Sequence, residues 1–229
     1  MDLELETLFR QEDAISLPLS TEYRAEDGES YMKHATEVRV SPDVLLLGAS
    51  FHRAVASSDK SHSKAEIAAC LIVAAKVLEG WGNDHVTGVL EHFGFKPSKL
   101  AASEWTVCQK VGWHLYLPGS ISFLRHFSHD ADGWNRDTRT LAKTLLTCLV
   151  LDPDACSHYR PSTQAAAALY LAKVLAGNGS WTKQHETVCR ARERDLKSCA
   201  RRILDAARKA AVTCAPAVPE EHSSLLLNR

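Results

Sequence analysis

The chain has 229 residues, of which 45% are apolar and 24% charged, and its formal charge is −1. That balance excludes a whole-protein electrostatic pull toward nucleic acid or an anionic membrane, and no apolar run reaches the roughly twenty residues that span a bilayer. The acidic start, Met1-Asp-Leu-Glu-Leu-Glu6, lacks the basic leader and apolar core of a secretion signal. Seven cysteines are scattered without a Cys-x-x-Cys pair, which fits neither a disulfide framework nor a four-ligand zinc site, so a reduced intracellular setting is expected.

Strand signals are missing, whereas apolar residues recur at helical spacing throughout. A helix is predicted over residues 43–55, capped by Ser41 with Pro42 in its first turn. The next begins near His62 or Ser63 and ends near Gly80-Trp81-Gly82. Residues 97–116 place Trp105, Cys108, Val111 and Leu115 on one stripe. Further helices are predicted behind Ser120, around 141–149, from Pro161 to the Gly177-Asn178-Gly179 stop, and over about 185–212. The tail from 215 onward reads as loose. The predicted fold class is all-α.

The most informative segment is 67–78, which is apolar at every position except Lys76. Twelve such residues describe a helix packed on nearly all sides. An ammonium in that setting is costly unless it is paired or reaches water along its stem. Glu104, 28 residues on and at the start of the next amphipathic helix, is the candidate partner. Snorkelling of Lys76 to solvent stays open beside that pairing. The segment also has an echo: Ala75-Lys-Val-Leu78 before Gly80 recurs as Ala172-Lys-Val-Leu175 before Gly177, 97 residues later. Leu117-Pro118-Gly119 lies between the copies as a natural linker, so two helical modules of about five helices each are expected. The position 97 past Glu104 is Arg201, so Lys173 is expected to lack an equivalent partner.

These residues resemble a known family. Ala74-Ala-Lys-Val-Leu-Glu79 and Ser103-Glu-Trp-Thr-Val-Cys-Gln-Lys-Val-Gly-Trp-His-Leu-Tyr-Leu-Pro118, followed by Phe123-Leu124, are similar to two helices of the cyclin box. Arg39-Val-Ser-Pro-Asp-Val-Leu-Leu-Leu47 resembles the helix before them in A-type and B-type mitotic cyclins. Leu141 to Asp152 and Tyr159 to Ala167, with Trp181 beyond, resemble the C-terminal box. The resemblance implies two tandem cyclin-fold bundles: an N-terminal segment 1–22, an N-terminal box 23–117, a C-terminal box 118–214 and a flexible tail 215–229. It also implies a regulatory subunit rather than an enzyme, binding and activating a cyclin-dependent protein kinase as a heterodimer in the nucleus or cytoplasm, the alternative being a cyclin-fold transcription adaptor or a scaffold without kinase activation. Cofactors, small-molecule ligands, membrane and nucleic acid have no part in it.

In that family the lysine and glutamate matching Lys76 and Glu104 pair at the kinase-gripping surface, with Val77, Leu78, Glu79 and Trp105 as neighbours. One departure is visible. The family's first helix carries an apolar Met-Arg-Ala-Ile-Leu and Asp-Trp-Leu, whereas this chain offers only Tyr23-Arg-Ala-Glu-Asp27 or Met32-Lys-His-Ala-Thr36. Residues 24–38 are therefore expected to form a short, frayed or missing helix without a substrate groove.

Two other signals have bland readings. His126 and His129 with Asp130 and Asp132 read as the polar end of a helix, a zinc site being the sharper alternative. The basic run from Arg190 to Lys209 reads as a solvated helix face, an acidic-partner or phosphate surface being its alternative. No phosphate-cradling loop, nucleophile elbow or metalloprotease motif occurs.

Overall fold

The computed structural model describes residues 3–15, 20, 23–56, 63–80, 84–133, 135–214 and 218–227. Among them there is no strand, and thirteen α-helices carry the fold. The expected ends at His62 and at Trp81-Gly82 lie outside the described residues. The chain divides into two compact units, residues 15–117 and residues 118–229 together with 1–14. The division falls between Leu117 and Pro118, inside the Leu-Pro-Gly linker.

In the first unit α2 (Ala25–Val38), α3 (Pro42–Val55), α4 (Ser63–Glu79), α5 (Asp84–Phe93) and α6 (Pro97–Lys110) surround α4. Helix α3 starts as expected: the Ser41 side chain accepts from the Val44 N–H and Pro42 opens the first turn. Residues 67–75 of α4 are each at most 5% exposed. Alanine at four of those positions keeps the helix slim, so α3, α5 and α6 can all pack against it. Each large aliphatic side chain buried there contributes about 1.5–3 kcal/mol.

Helix α2 corrects the expectation for residues 24–38. It is a full fourteen-residue helix. Its inner stripe needs only Gly28, Tyr31, Met32 and Ala35, all buried, while its polar residues face outward. Tyr31 is fully buried and its hydroxyl donates to the Leu45 carbonyl at 2.8 Å. This anchor explains Gly48 on α3: a Cβ there would stand 2.3 Å from the Tyr31 hydroxyl. His52 stacks on Tyr31 and meets Tyr23 edge-on. Burial lowers the His52 pKa to about 4, with Arg53 adding to the effect.

In the second unit α10 (Pro161–Ala176) is the central helix, packed by α7 (Ser120–Asp130), α8 (Arg136–Cys148) and α12 (Glu193–Thr213). A 3₁₀ turn at Leu149–Leu151 leads to the short α9 (Pro153–His158). The stop after α10 is as expected, with Gly177 left-handed at φ 70°. The single helix predicted over 185–212 is two, α11 (Lys183–Cys189) and α12, because Arg190 turns left-handed at φ 52°. The tail is not loose throughout: α13 (Glu220–Leu227) packs on α12, its Leu226 is buried, and Arg208 donates to the Leu226 carbonyl.

Residues 1–22 are not a mere leading segment either. Helix α1 (Leu3–Ala14) docks on the second unit through Leu5 and Phe9, with the Phe9 ring 5.1 Å from that of Phe123. Its Glu12 accepts from the backbone N–H and hydroxyl of Ser162, both at 2.7 Å, and so satisfies the first turn of α10. Asp13 pairs with Arg160 at 2.5 Å. No described helix is long and apolar enough to cross a membrane.

Candidate partner-binding site

Lys76 sits in the last turn of α4, and Glu104 lies in the neighbouring α6. Packing of α6 on α4 brings the Lys76 Nζ to 2.5 Å from Glu104 Oε2. Their side chains are 17% and 19% exposed. The ammonium is thus paired rather than snorkelled, in a setting dry enough to strengthen the bond yet open on one side. Beside it, burial pushes the Cys108 thiol up in pKa and Glu104 adds to that shift.

The neighbours divide into two kinds. Leu78 and Trp105 are 46% and 56% exposed. Glu79 is exposed but held: its carboxylate accepts from the Ser41 hydroxyl at 3.1 Å and meets His85 Nδ1 of α5 at 2.5 Å. Val77 is half-buried. The expectation that Trp105 shares a buried stripe is corrected, because α6 buries Leu100 and Val107, with Val111 just beyond, and turns Trp105 outward.

Trp113 and Tyr116 belong to the same stretch and were not singled out by sequence. Trp113 is 54% exposed and meets Trp105 edge-on with ring centroids 5.2 Å apart. It holds φ 62°, directly after Gly112 at the same φ, so the chain reverses sharply behind α6. A bulky residue in the left-handed region carries a cost of about 1–3 kcal/mol that surrounding structure must sustain. Here the outlier presents an indole to solvent beside an ion pair. The signal was Gly112, which ends the helical stripe and frees the aromatic behind it.

The second lysine overturns an expectation. Lys173 does have a partner, Asp132, just beyond α7, to which its ammonium donates. Those side chains are only 9% and 7% exposed, and His185 Nε2 lies 3.6 Å from the same Asp132 oxygen. The partner lies upstream of the lysine, whereas Glu104 lies downstream of Lys76, so the two modules do not share one spacing. In the stretch 126–132, His129 also pairs with Asp130, and His126 lies 3.7 Å from Glu4. The basic run is mostly engaged within the chain: Arg202 grips Asp152 with two nitrogens, Lys197 pairs with Glu193, and Arg190 pairs with Glu6 while lying over Phe9.

Comparison with known proteins adds to this geometry. Residues 118–227 match the family model described as "Cyclin, C-terminal domain". The solved structure of a viral cyclin from herpesvirus saimiri superposes with a TM-score of 0.76 at 16% identity, covering 92% of this chain and 99% of that one. Residues 118–227 thus carry a cyclin C-terminal domain, and the chain shares the fold of a solved cyclin. The chain is 37% identical over 91 residues to G2/mitotic-specific cyclin-3 of Saccharomyces cerevisiae, covering 40% of the chain and 21% of that protein. It is 34% identical over 90 residues to G2/mitotic-specific cyclin cdc13 of Schizosaccharomyces pombe, covering 39% and 18%. The aligned stretch thus spans about a fifth of these mitotic cyclins. A crystal structure of the yeast RNA Pol II CTD kinase CTDK-1 complex contains a chain of the same fold, with a TM-score of 0.61 at 10% identity. The family match runs to residue 227 and so includes α13.

Proposed function

We propose that this chain is a cyclin, a regulatory subunit that binds a cyclin-dependent protein kinase as a heterodimer and activates it, acting in control of the cell cycle. In this reading residues 23–117 form the N-terminal cyclin box and residues 118–214 the C-terminal one. The observation that carries it is the Lys76–Glu104 pair, one side open, beside the exposed Leu78 and Trp105. Lys76 donates to kinase backbone carbonyls from a position that Glu104 fixes, and Glu104 accepts kinase amide protons. Trp105 and Leu78 supply the apolar contact from which an interface draws most of its affinity. Val77 and Glu79 shape the edge of the surface, Glu79 by bracing α4 against Ser41 and His85. The bound surface moves the kinase's small-lobe helix inward, so that the kinase Lys–Glu pair forms and the activation loop opens. The role is regulatory and not catalytic, needs no cofactor or small-molecule ligand, and is exercised in the nucleus or cytoplasm.

The test is co-purification of the tagged chain from its native cell extract as wild type, Lys76→Glu and Glu104→Lys, with helicity checked by circular dichroism. A protein kinase is expected with the wild type and lost with both folded variants. Equal kinase recovery from all three overturns the assigned surface. Salt-sensitive DNA binding with no kinase in any preparation overturns the kinase reading in favour of a transcription adaptor.

A further inference from the structure

The contact between α2 and α5 has an unusual outer end, built from imidazoles and a carboxylate. The two helices pass antiparallel there. Val38 of α2 lies 3.6 Å from where a Cβ on Gly88 of α5 would stand, and one turn along each helix His34 meets His92. His34 Nδ1 and His92 Nε2 are 2.9 Å apart. Glu37, three residues after His34, brings Oε2 to 3.8 Å from that His34 nitrogen and 3.5 Å from that His92 nitrogen. The same three atoms define all three distances, so they form one closed triangle.

The size of this triangle is informative. The circle through its corners has a radius of about 2.0 Å, which matches the bonds that Zn²⁺ makes to imidazole nitrogen and carboxylate oxygen. An ion lifted slightly off the plane reaches all three atoms and keeps its fourth tetrahedral position for water or an outside ligand. A hydrogen bond between the two imidazoles accounts for the shortest edge, but not for a carboxylate oxygen converging on both nitrogens. The rings are also held in place. The His34 centroid lies 4.7 Å and the His92 centroid 4.8 Å from the Phe93 ring. Side-chain exposures of 18% for His34, 41% for Glu37 and 26% for His92 leave one side open for entry.

We propose that His34, Glu37 and His92 form a binding site for Zn²⁺ that ties α2 to α5. Two histidines and a glutamate with an open fourth position are a donor set suited to zinc, the two helices supplying two ligands and one. Helix α2 buries only a narrow stripe against the first unit. Because the ligands converge only when α2 and α5 are packed, zinc binding and docking of α2 are coupled. None of the three ligands belongs to the proposed kinase surface, so the two readings fail separately.

The full chain, stripped with a chelator and kept reduced, is titrated with Zn²⁺ as wild type, Glu37→Gln and His92→Ala, and its thermal unfolding is followed with and without the metal. One zinc per wild-type chain is expected, with a raised unfolding temperature. Affinity should fall at least about tenfold in each variant, along with the thermal shift. Replacing Zn²⁺ by Co²⁺ should give a nitrogen–oxygen ligand-field spectrum without a thiolate charge-transfer band. Equal affinity in all three proteins overturns the site, as does saturation accompanied by a thiolate band, which would place the metal on cysteines. If His92→Ala fails to fold, Glu37→Gln decides alone, since its exposed side chain is dispensable for packing.

Discussion

Each unit places a lysine near the end of its central helix, within the same Ala-Lys-Val-Leu sequence, and the two are neutralised in different ways. Lys173 is enclosed: its ammonium meets Asp132, their side chains are under 10% exposed, and His185 closes the group. Lys76 meets Glu104 at an edge where both remain nearly a fifth exposed, beside an indole pair open to solvent. One exposed apolar neighbour does not distinguish them, because Val174 is as exposed as Leu78. What distinguishes them is access to the charge itself. A sealed ion pair can only hold its own unit together, whereas a half-open one can exchange contacts with a partner.

The largest expected effect is on the sealed pair. Lys173→Ala leaves the Asp132 carboxylate buried without its cation and should cost about 3–5 kcal/mol of stability in urea denaturation. The double change Lys173→Met with Asp132→Asn should recover much of that loss, since it leaves no uncompensated charge. Lys76→Ala, at the half-open pair, should cost only about 1–2 kcal/mol, because water can reach the Glu104 left behind. Equal costs at the two lysines would erase the distinction between sealed and open.

Acid should bring out a different weakness in the first unit. Above pH 6.5 His52 is neutral whether folded or unfolded and contributes nothing to the pH dependence. Between 6.5 and about 4 only the unfolded chain takes up the proton, so stability falls as pH falls, by about 3 kcal/mol in all. Urea midpoints across that range should flatten by this amount in His52→Leu relative to wild type. In the second unit His185 shifts in the same direction, through burial first and Lys173 second. Lys173→Ala should therefore also soften the acid response there.

The smallest effect on stability should come from Trp105. Its side chain is more than half exposed, so Trp105→Ala should change folding stability by no more than about 0.5 kcal/mol. Kinase affinity measured by surface plasmon resonance should nevertheless fall by about 2 kcal/mol, as expected for an aromatic anchor. A variant that binds the kinase as tightly as wild type would remove Trp105 from the interface.

Much of this was legible in the chain. Helix α3 with its Ser41 cap, α4, the start of α6 at Pro97 and the Gly177 stop of α10 follow from local chemistry. The Lys76–Glu104 pair was legible because the lysine interrupts an otherwise apolar helix and the glutamate lies in a later amphipathic one, although it stands midway along α6 rather than at its start. Helix α2 was misjudged because composition counts every residue, while burial asks only about one face. The outward turn of Trp105 was missed for a related reason, since several stripes fit the apolar positions of α6 and only packing on α4 selects one.

The sequence by itself determined an all-α chain of two similar modules and marked Lys76 as the charge most in need of a partner. Helical spacing, caps and glycine stops are local and act before distant segments meet. Which lysine is sealed, that α1 packs against the second unit, and that His34, Glu37 and His92 converge were decided only by the tertiary structure. Those outcomes depend on which faces are left over once the central helices are covered, and no local stretch of sequence holds that information.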